Sequence, residues 1–261
     1  MTSFITLTTD FGTGSPYVAA MKGVILGMNP AARVIDISHE IPPQDVRHAA
    51  VVLAESTSWF PGGTIHVAVV DPGVGTERRL IYAHLADQHY LAPDNGLLSL
   101  LAERNRTTRI IELANSEYWL PEVSHTFHGR DILAPVAAQL SLGLEPERLG
   151  PTLTQIQTLD WHEPVVAENR IEGAVRWIDR FGNLITNITA SMLAPGRAAG
   201  GLTIDCAGHE IAGLSDFYGQ HSRGTLAALV GSSGYLEIAV AEGNAAQALS
   251  VAVGTPVAVQ W

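Results

Sequence analysis

The sequence predicts an α/β protein with a second, smaller β domain, and two observations lead to this prediction. In the first half, short apolar strand patterns alternate with helical patterns, which is typical of a mostly parallel sheet flanked by helices. From about residue 170 onward, short β-rich runs follow one another with Gly, Pro or Asn between them. Such spacing indicates a small antiparallel sandwich or barrel. We therefore expect an N-terminal α/β domain over residues 1–160 and a smaller C-terminal antiparallel β-barrel-like domain over residues 161–261.

The elements of the first half follow from their residue patterns. Phe4 to Thr8 is a β-rich run that ends in loop residues, and helical spacing extends from Tyr17 to Met28. Pro16 precedes that helix, in the first turn where proline is favoured. Thr64 to Val70 is almost continuously apolar, as expected of a strand buried on both faces. The remaining predicted elements are the strands Arg33–Ile37, Arg79–Leu85, His89–Ala92 and Arg109–Leu113 and the helices Asp45–Ser58, Leu97–Glu103 and Asp131–Leu140.

The second half is dominated by strand patterns. A polar, proline-containing span from Gly150 to Asn169 is the predicted linker, and Ala245 to Leu249 is the one segment that indicates a helical turn. The predicted strands are Ile171–Ile178, Gly201–Cys206, Leu226–Val230, Tyr235–Val240 and Pro256–Gln260.

Composition narrows the classes of function. A hydrophobic share of 46% with 16% charged residues indicates a folded globular chain, and a net charge of −11 argues against a nucleic-acid partner. Cys206 is the one cysteine, so an intrachain disulfide and a multi-cysteine metal site are excluded. No run approaches the ~18 apolar residues that cross a membrane, and the N-terminus lacks a signal-peptide pattern. We expect no membrane association and a cytoplasmic location.

Two acidic residues stand where predicted strands end. Asp10 follows the first strand and Asp71 follows the third. Ligands of parallel α/β sheets sit beyond the carboxyl ends of the strands. The sequence therefore predicts that both carboxylates lie near one rim of the sheet.

The segment VVDPGVGTERR, from Val69 to Arg79, carries the first candidate constellation. A buried strand delivers Asp71 into a turn rich in Pro and Gly, and Arg78 follows seven residues later. A guanidinium offers donors in a fixed fork to a carboxylate, so we expect Arg78 to fold back onto Asp71. The alternative is that Asp71 caps the turn and Arg78 is solvated.

The segment FHGRD, from Phe127 to Asp131, contains the second group of candidate residues. His128 precedes a glycine at the start of a predicted helix, where it is exposed to a ligand and close to the positive end of the helix. Since ten histidines are present, one histidine alone is weak evidence. The histidines interpreted as ordinary surface or loop residues are His39, His48, His66, His125 and His221. A zinc site of His and Asp is a competing hypothesis, although no HExxH spacing supports it.

Asp10, in TTDFG, is the third candidate. A carboxylate at a strand end can accept both hydroxyls of a ribose, whereas a turn or N-cap role is the alternative. The loop lacks the GxGxxG and GxxxxGK[ST] patterns, so it indicates neither a dinucleotide nor a nucleoside triphosphate.

Two segments of the second half also suggest a ligand surface. Asp179 to Asn187 places polar side chains within an apolar strand pattern, and such side chains are costly to bury unless they are paired. Gly231 to Val240 begins with two serines between glycines, whose amides and hydroxyls suit a carboxylate or an amine. A plain hairpin is the alternative for both.

Taken together, six ordered motifs resemble the SAM hydroxide adenosyltransferase family, hydrolytic relatives of the fluorinase and chlorinase. The motifs are LTTDFG (Leu7–Gly12), VVDPGVGTERR (Val69–Arg79), APDNG (Ala92–Gly96), FHGRD (Phe127–Asp131), RFGNLITN (Arg180–Asn187) and GSSGYLEIAV (Gly231–Val240). The resemblance covers essentially the whole chain. It implies hydrolysis of S-adenosyl-L-methionine without a metal or another cofactor, in a homotrimer whose active sites lie between subunits.

The resemblance also implies roles for individual residues. Asp71, Arg78 and His128 would hold and activate the attacking water, and Asp10 would bind the ribose diol. The other implied substrate-binding residues are Asn183, Phe217, Ser232, Ser233, Glu237 and Val240. A carboxylate at position 71 repels a halide and accepts a proton from water, which favours water as the nucleophile. The alternatives are a halide-using SAM lyase, a non-catalytic adenosine or SAM sensor, and a metal-dependent hydrolase.

Overall fold

The computed structural model describes residues 3–105, 107–198 and 201–261. They divide into two compact units, Met1–Leu159 and Asp160–Trp261. Across these described ranges, no helix combines the length and the apolar character needed to cross a membrane.

The described residues of the first unit form six strands and four α-helices. Its strands are β1 (Phe4–Thr9), β2 (Arg33–Ser38), β3 (Ile65–Val69), β4 (Leu80–Leu85), β5 (Gln88–Pro93) and β6 (Thr107–Glu112). Its helices are α1 (Pro16–Met28), α2 (Val46–Ser56), α3 (Ser99–Arg104) and α4 (Ala134–Ser141), with a π-helical turn over Gly129–Leu133 and 3₁₀ turns over Thr57–Trp59, Ser116–Tyr118 and Pro146–Leu149.

The strands form one sheet in the order β2-β1-β3-β5-β4-β6. The first four are parallel to one another, whereas β4 is antiparallel to both β5 and β6. Only Ala86 and Asp87 separate β4 from β5, and both have positive φ angles of 48° and 62°. A two-residue connection of this kind makes a tight hairpin, because a parallel crossover needs a dozen residues or more. The predicted α/β class is confirmed, with a mixed sheet.

Alternating side chains of the central strands form the main core of this unit. Ile5, Leu7 and Val67 are fully buried and pack with Met21 and Ile25 of α1. Helix α4 packs on α1 and on the same strands. The central strands are thereby held rigidly, which positions the loops at their carboxyl ends.

Local sequence sets the starts of the helices. The Ser15 side chain accepts a hydrogen bond from the Tyr17 amide, and Pro16 occupies the first helical position of α1. Asp45 caps α2 by accepting from the His48 amide at 2.9 Å. These contacts span three residues or fewer. The predicted first residues of the two helices, Tyr17 and Asp45, each lie one residue from the observed ones, Pro16 and Val46.

The second unit is an antiparallel sheet. Its strands are β7 (Val165–Ala167), β8 (Arg170–Ile178), β9 (Leu184–Thr189), β10 (Thr203–Cys206), β11 (His209–Ala212), β12 (Leu226–Val230), β13 (Tyr235–Val240) and β14 (Pro256–Gln260). The order is β11-β10-β14-β8-β9-β13-β12, with β7 beside β8. The two end strands, β11 and β12, contact each other. The sheet is therefore nearly closed and barrel-like, which confirms the predicted class.

Three strands and one helix of the second unit are absent from the predicted elements. Strand β9 (Leu184–Thr189) overlaps the segment Asp179–Asn187, which showed a strand pattern but was not given as a strand. Helix α5 (Ala190–Ala198) was not predicted, because Pro195 and Gly196 lie inside it and both disfavour helix. Strand β7 lies within the span interpreted as a linker, and the short β11 pairs with β10 as a hairpin. The predicted turn at Ala245–Leu249 is present as helix α6.

Candidate active site

The carboxyl ends of β1 and β3 lie side by side, and the two acidic residues predicted at one rim meet there. Thr9 is paired with Val69 in the parallel register of these strands. Asp10 and Asp71 then line one cavity of about 410 Å³. The size is within the usual range for a small-molecule site. The cavity wall also includes Phe11, Tyr17, Pro43, Gln44, Val69, Pro72, Val74, Thr126, Phe127, His128 and Gly129.

Arg78 folds back onto Asp71, as the sequence predicted. Its Nε lies 2.8 Å from each carboxylate oxygen of Asp71, and its Nη2 lies 2.5 Å from Oδ2. The side chains of Arg78 and Asp71 are only 11% and 6% exposed. The alternative with a solvated Arg78 is therefore wrong. Because both charges are largely removed from water and hydrogen-bonded, the pair holds the carboxylate in one orientation at the cavity wall.

His128 is the third member of this hydrogen-bonded set. Its Nδ1 lies 2.9 Å from Nη2 of Arg78. A guanidinium can only donate, so Nδ1 must be the acceptor and the ring proton is assigned to Nε2. Burial lowers the pKa of His128, and the positive charge of Arg78 lowers it further, against the opposing effects of Asp71 and Asp131. The neutral ring is favoured for these two reasons.

Asp131, which sequence reasoning did not select, holds the loop that presents His128. It is fully buried, and it accepts hydrogen bonds from the Ser124 amide at 2.8 Å and from Nε of Arg130 at 2.6 Å. Burial raises the pKa of this carboxyl, but the hydrogen bonds from Arg130 and Ser124 outweigh that effect and the pKa is lowered. The π-helical turn starts directly after His128, and such turns are frequent at functional sites.

The Asp10 carboxylate is oriented by a residue far away in the sequence. Its Oδ2 accepts a hydrogen bond of 2.8 Å from the backbone amide of Gln44. Gln44 has a φ angle of 65°, an uncommon conformation for a residue other than glycine. The contact joins residues 34 positions apart, and we find no sequence signal that indicates it.

Three aromatic rings of the cavity wall were also missed. Phe11, Tyr17 and Phe127 contact one another edge to face, with ring centroids 5.0 to 5.7 Å apart. Phe11 and Phe127 stand inside the motifs TTDFG and FHGRD, which is the only sequence signal they carry.

In the second unit, Asn183 lies in the turn between β8 and β9. It is buried, and its Nδ2 donates to Oδ2 of Asp179 at 3.0 Å. Asp179 and Asn183 are therefore paired within the hairpin, whereas the side chains of Thr186 and Asn187 donate to the carbonyls of Leu236 and His162. The hairpin alternative describes the backbone correctly. A ligand-binding role for Asn183 stays a prediction.

Glu237 of β13 is a buried carboxyl with one clear partner. It is 6% exposed, and its Oε1 accepts a hydrogen bond of 2.5 Å from the hydroxyl of Tyr218. Burial raises the pKa of Glu237 and the negative charge of Asp179 raises it further, whereas the Tyr218 hydrogen bond lowers it. Burial also raises the pKa of the Tyr218 hydroxyl. Tyr218 was missed because nothing in its own segment indicates a partner 19 residues away.

The remaining predicted substrate-binding residues are at or near the surface of the second unit. Phe217 is 57% exposed. Ser232 and Ser233 form the turn of the β12–β13 hairpin, and Val240 is half-buried against the core of this unit. An exposed phenylalanine is available for stacking, but the binding roles of all four residues stay predictions.

Two histidines interpreted as surface or loop residues are buried instead. His39 is 5% exposed, and its Nδ1 lies 2.9 Å from Thr9 Oγ1. His66 lies on β3 and is 1% exposed. The interpretation was wrong because a polar residue in an apolar strand can be buried when a neighbouring hydroxyl satisfies it. Within the described part of the chain, no group of three His, Cys, Asp or Glu side chains could hold a metal ion.

Comparisons with known proteins agree with this architecture. The family model described as the SAM hydroxide adenosyltransferase N-terminal domain matches residues 5–150, and the C-terminal domain model of the same family matches residues 173–258. The (R)-S-adenosyl-L-methionine hydrolase of Thermus thermophilus is 40% identical over 256 residues, which cover 95% of this chain and 96% of that protein. The fluorinase of an Actinoplanes species is 26% identical over 211 residues, covering 70% of this chain and 71% of the fluorinase.

A solved structure shares the whole fold. The crystal structure of an uncharacterized conserved protein from Thermotoga maritima matches with a TM-score of 0.92 and 38% identity, over 98% of this chain and 100% of that one. Both domain models together match most of the chain. The chain therefore belongs to the SAM hydroxide adenosyltransferase family.

Proposed function

We propose that the chain hydrolyses S-adenosyl-L-methionine to adenosine and L-methionine by attack of water on the ribose C5′ carbon. The C5′–S bond breaks as the C5′–O bond forms, and the sulfur keeps the electron pair and becomes a neutral thioether. Water loses one proton in the same process. The leaving group is already activated as a sulfonium, so the demand on the enzyme is to position and deprotonate the water.

The observation that carries this proposal is the hydrogen-bonded set of Asp71, Arg78 and His128 at the wall of the cavity. Bulk water has a pKa of about 15.7 and is a weak nucleophile. A carboxylate and a ring nitrogen held by one guanidinium provide polar atoms that fix a water molecule in one place. Holding the reacting atoms in line supplies much of the rate gain in displacement reactions.

The tautomer of His128 indicates that Asp71, Arg78 and His128 have different roles. Since Nδ1 accepts from Arg78, the opposite ring nitrogen carries the proton and can donate to the water oxygen. Asp71 carries a negative charge and lone pairs, so we assign to it the proton that the water loses as the new bond forms. Arg78 orients both groups and holds the Asp71 carboxylate in place to take that proton.

Other residues would bind the substrate. We assign Asp10 to the ribose diol, because it lies on the same cavity wall and its carboxylate is held by the Gln44 amide. In the second unit we assign Phe217 to adenine stacking, Asn183, Ser232 and Ser233 to the methionyl end or the ribose, and Glu237 and Val240 to the adenine edge.

Water is favoured over a halide as the nucleophile by the charge at position 71. The Asp71 side chain is 6% exposed, and a carboxylate at that depth repels a chloride or fluoride ion approaching the same place. The 40% identity to an (R)-S-adenosyl-L-methionine hydrolase, against 26% to a fluorinase, supports the same choice.

The test is to incubate the purified protein with S-adenosyl-L-methionine in ¹⁸O-labelled water and to separate the products by chromatography. We expect adenosine and methionine in equal amounts, with one ¹⁸O atom in the adenosine 5′-hydroxyl. A halogenated nucleoside formed with chloride would instead identify a halide-using lyase. Binding of adenosine without any turnover would identify a sensor, and either result would overturn the proposal.

We further propose a homotrimer in which the active sites lie at subunit interfaces, as the resemblance implies. Light scattering after size exclusion measures the mass of the assembly. Mixing an inactive Asp71→Ala variant with an inactive Asn183→Ala variant under subunit exchange tests the shared site. Activity should reappear if one subunit supplies Asp71 and its neighbour supplies Asn183, and no recovery would refute a site built from two subunits.

We also propose that the reaction needs no metal or organic cofactor and that the protein acts in the cytoplasm. Turnover should then be insensitive to a strong chelator, and loss of activity that an added divalent cation restores would contradict the proposal. Fractionation of the source cells checks the location.

A further inference from the structure

We propose that Asp94 and Asn95 are positioning residues that clamp both ends of the loop carrying Asp71 and Arg78. The loop runs from residue 71 to residue 78, and the two clamping residues come from the turn between β5 and α3. They belong to the APDNG motif, to which the proposed function assigns no task. The catalytic part of this inference rests on the proposed function, whereas the clamp itself can be tested without it.

Asn95 holds the first end of the loop. Its Nδ2 donates a hydrogen bond of 2.9 Å to the carbonyl oxygen of Val70, the residue immediately before Asp71. Strand β3 ends at Val69, so this carbonyl lies beyond the strand, and Val70 is fully buried. A buried carbonyl needs a partner, and the Asn95 amide provides one. The Asn95 Oδ1 accepts from the Leu97 amide at 3.3 Å, which orients the side-chain amide.

Asp94 holds the second end. Its Oδ2 accepts from Nε and Nη2 of Arg79 at 3.0 and 2.5 Å, and its backbone amide donates to the Arg79 carbonyl at 3.0 Å. The Asp94 side chain is 1% exposed, and its other oxygen accepts from the Gln157 amide at 2.7 Å. The side chain is therefore fully engaged. Arg79 is the residue immediately after Arg78, so the clamp closes directly beside the catalytic set.

Each of the two adjacent arginines, Arg78 and Arg79, pairs with a different carboxylate. Successive side chains in extended backbone point in opposite directions. Arg79 turns to Asp94 and Arg78 turns to Asp71, which leaves the Arg78 fork available to both Asp71 and His128. By binding Arg79, Asp94 favours the arrangement in which Arg78, and not Arg79, pairs with Asp71.

The apex of the loop is packed as well. Gly75 has a φ angle of 81°, and a Cβ atom at this position would collide with the His125 carbonyl oxygen. This carbonyl belongs to the segment that leads to His128. With both ends and the apex held, the Arg78 guanidinium has little freedom to move away from Asp71.

The experiment uses two nearly isosteric substitutions, Asn95→Asp and Asp94→Asn. The first removes the donor to Val70 and keeps the acceptor for Leu97, and the second removes the charge that binds Arg79. Displacing catalytic groups by about 1 Å can cost about a hundredfold in rate. We expect kcat to fall by about 10- to 100-fold in each variant while KM changes by less than about threefold, because positioning groups act on the transition state.

Hydrogen exchange provides a readout that does not depend on activity. Amides of residues 73–79 should exchange faster in both variants, whereas those of β1 should not change. Arg79→Lys, which keeps the charge but loses the fork, should lie between the wild type and Asp94→Asn in both measurements. It also keeps the test decisive if Asp94→Asn does not fold. Glu55→Gln is the matched control, because it breaks a partly exposed ion pair with Arg104 in the same unit and lines no part of the cavity.

Each outcome decides the proposal. Unchanged loop exchange in both clamp variants would overturn it, as would a loss of kcat no larger than that of Glu55→Gln. If the wild type does not hydrolyse S-adenosyl-L-methionine, the proposed function fails. In that case faster loop exchange in the variants would still establish the clamp.

Discussion

Acidification should destabilise this protein through one buried histidine of the central strand. His66 is 1% exposed, its Nδ1 lies 2.7 Å from Thr6 Oγ1, and its ring is stacked on Tyr90 with centroids 4.9 Å apart. The pKa of His66 is lowered from 6.5 to about 4, mainly by burial, with a further contribution to the lowering from the nearby His89 and an opposing effect of the Gln88 side chain. The ring is therefore neutral in the folded state and protonates readily only after unfolding.

The sign and size of the effect follow from proton linkage. Above pH 6.5 the ring is neutral in both states, so the stability is fully present. As the pH falls from 6.5 towards 4, the unfolded state binds the proton first and the free energy of unfolding decreases. With a folded pKa of about 4 and an unfolded pKa of 6.5, the loss at pH 5 is about 2 kcal/mol and its limit at lower pH is about 3 kcal/mol.

The assay compares the wild type with His66→Asn, whose side chain stays neutral at every pH used. Urea titrations at pH 7.5 and pH 5.0 give the free energy of unfolding of each protein. The wild type should lose about 2 kcal/mol more than His66→Asn on acidification, because only the wild type carries the titrating ring. His162→Asn serves as the control, since that side chain is 85% exposed. Equal losses in the wild type and His66→Asn would refute the reasoning.

Four further predictions concern the site and the second unit. Asp71→Asn should lower kcat by about 10²–10⁴-fold while adenosine binding, measured by calorimetry, stays within a few-fold, and a fully active variant would remove Asp71 from the mechanism. Because the pKa of His128 is lowered, the acid limb of the kcat/KM profile assigned to this residue should have its midpoint below pH 6.5, and the limb should vanish in His128→Gln. Asp10→Asn should weaken adenosine binding more than 2′-deoxyadenosine binding, which calorimetry with both nucleosides checks against a diol contact. Tyr218→Phe should lower the free energy of unfolding by about 1–3 kcal/mol because the buried Glu237 loses its donor, and an unchanged urea midpoint would contradict this expectation.

The sequence alone determined those features whose causes lie within a few residues of one another. The alternation of strand and helix patterns and the buried run at β3 gave the class of the first unit, and the succession of short β-rich runs gave the class of the second. The rim position of Asp10 and Asp71 followed from strand polarity, and the Asp71–Arg78 pair followed from their spacing of seven residues. Local propensity failed to predict helix α5, because Pro195 and Gly196 lie inside this helix and both residue types disfavour helix.

Only the tertiary structure decided which distant groups meet. The contact of Arg78 with His128 spans 50 residues, that of Gln44 with Asp10 spans 34, and that of Asn95 with Val70 spans 25. Each depends on the order in which the strands pair and on how the connecting loops fold back. A local pattern reports which side of an element is apolar, but not which other element covers it. The protonation state of His128 was decided in the same way, because burial and a charge from another loop shift its pKa.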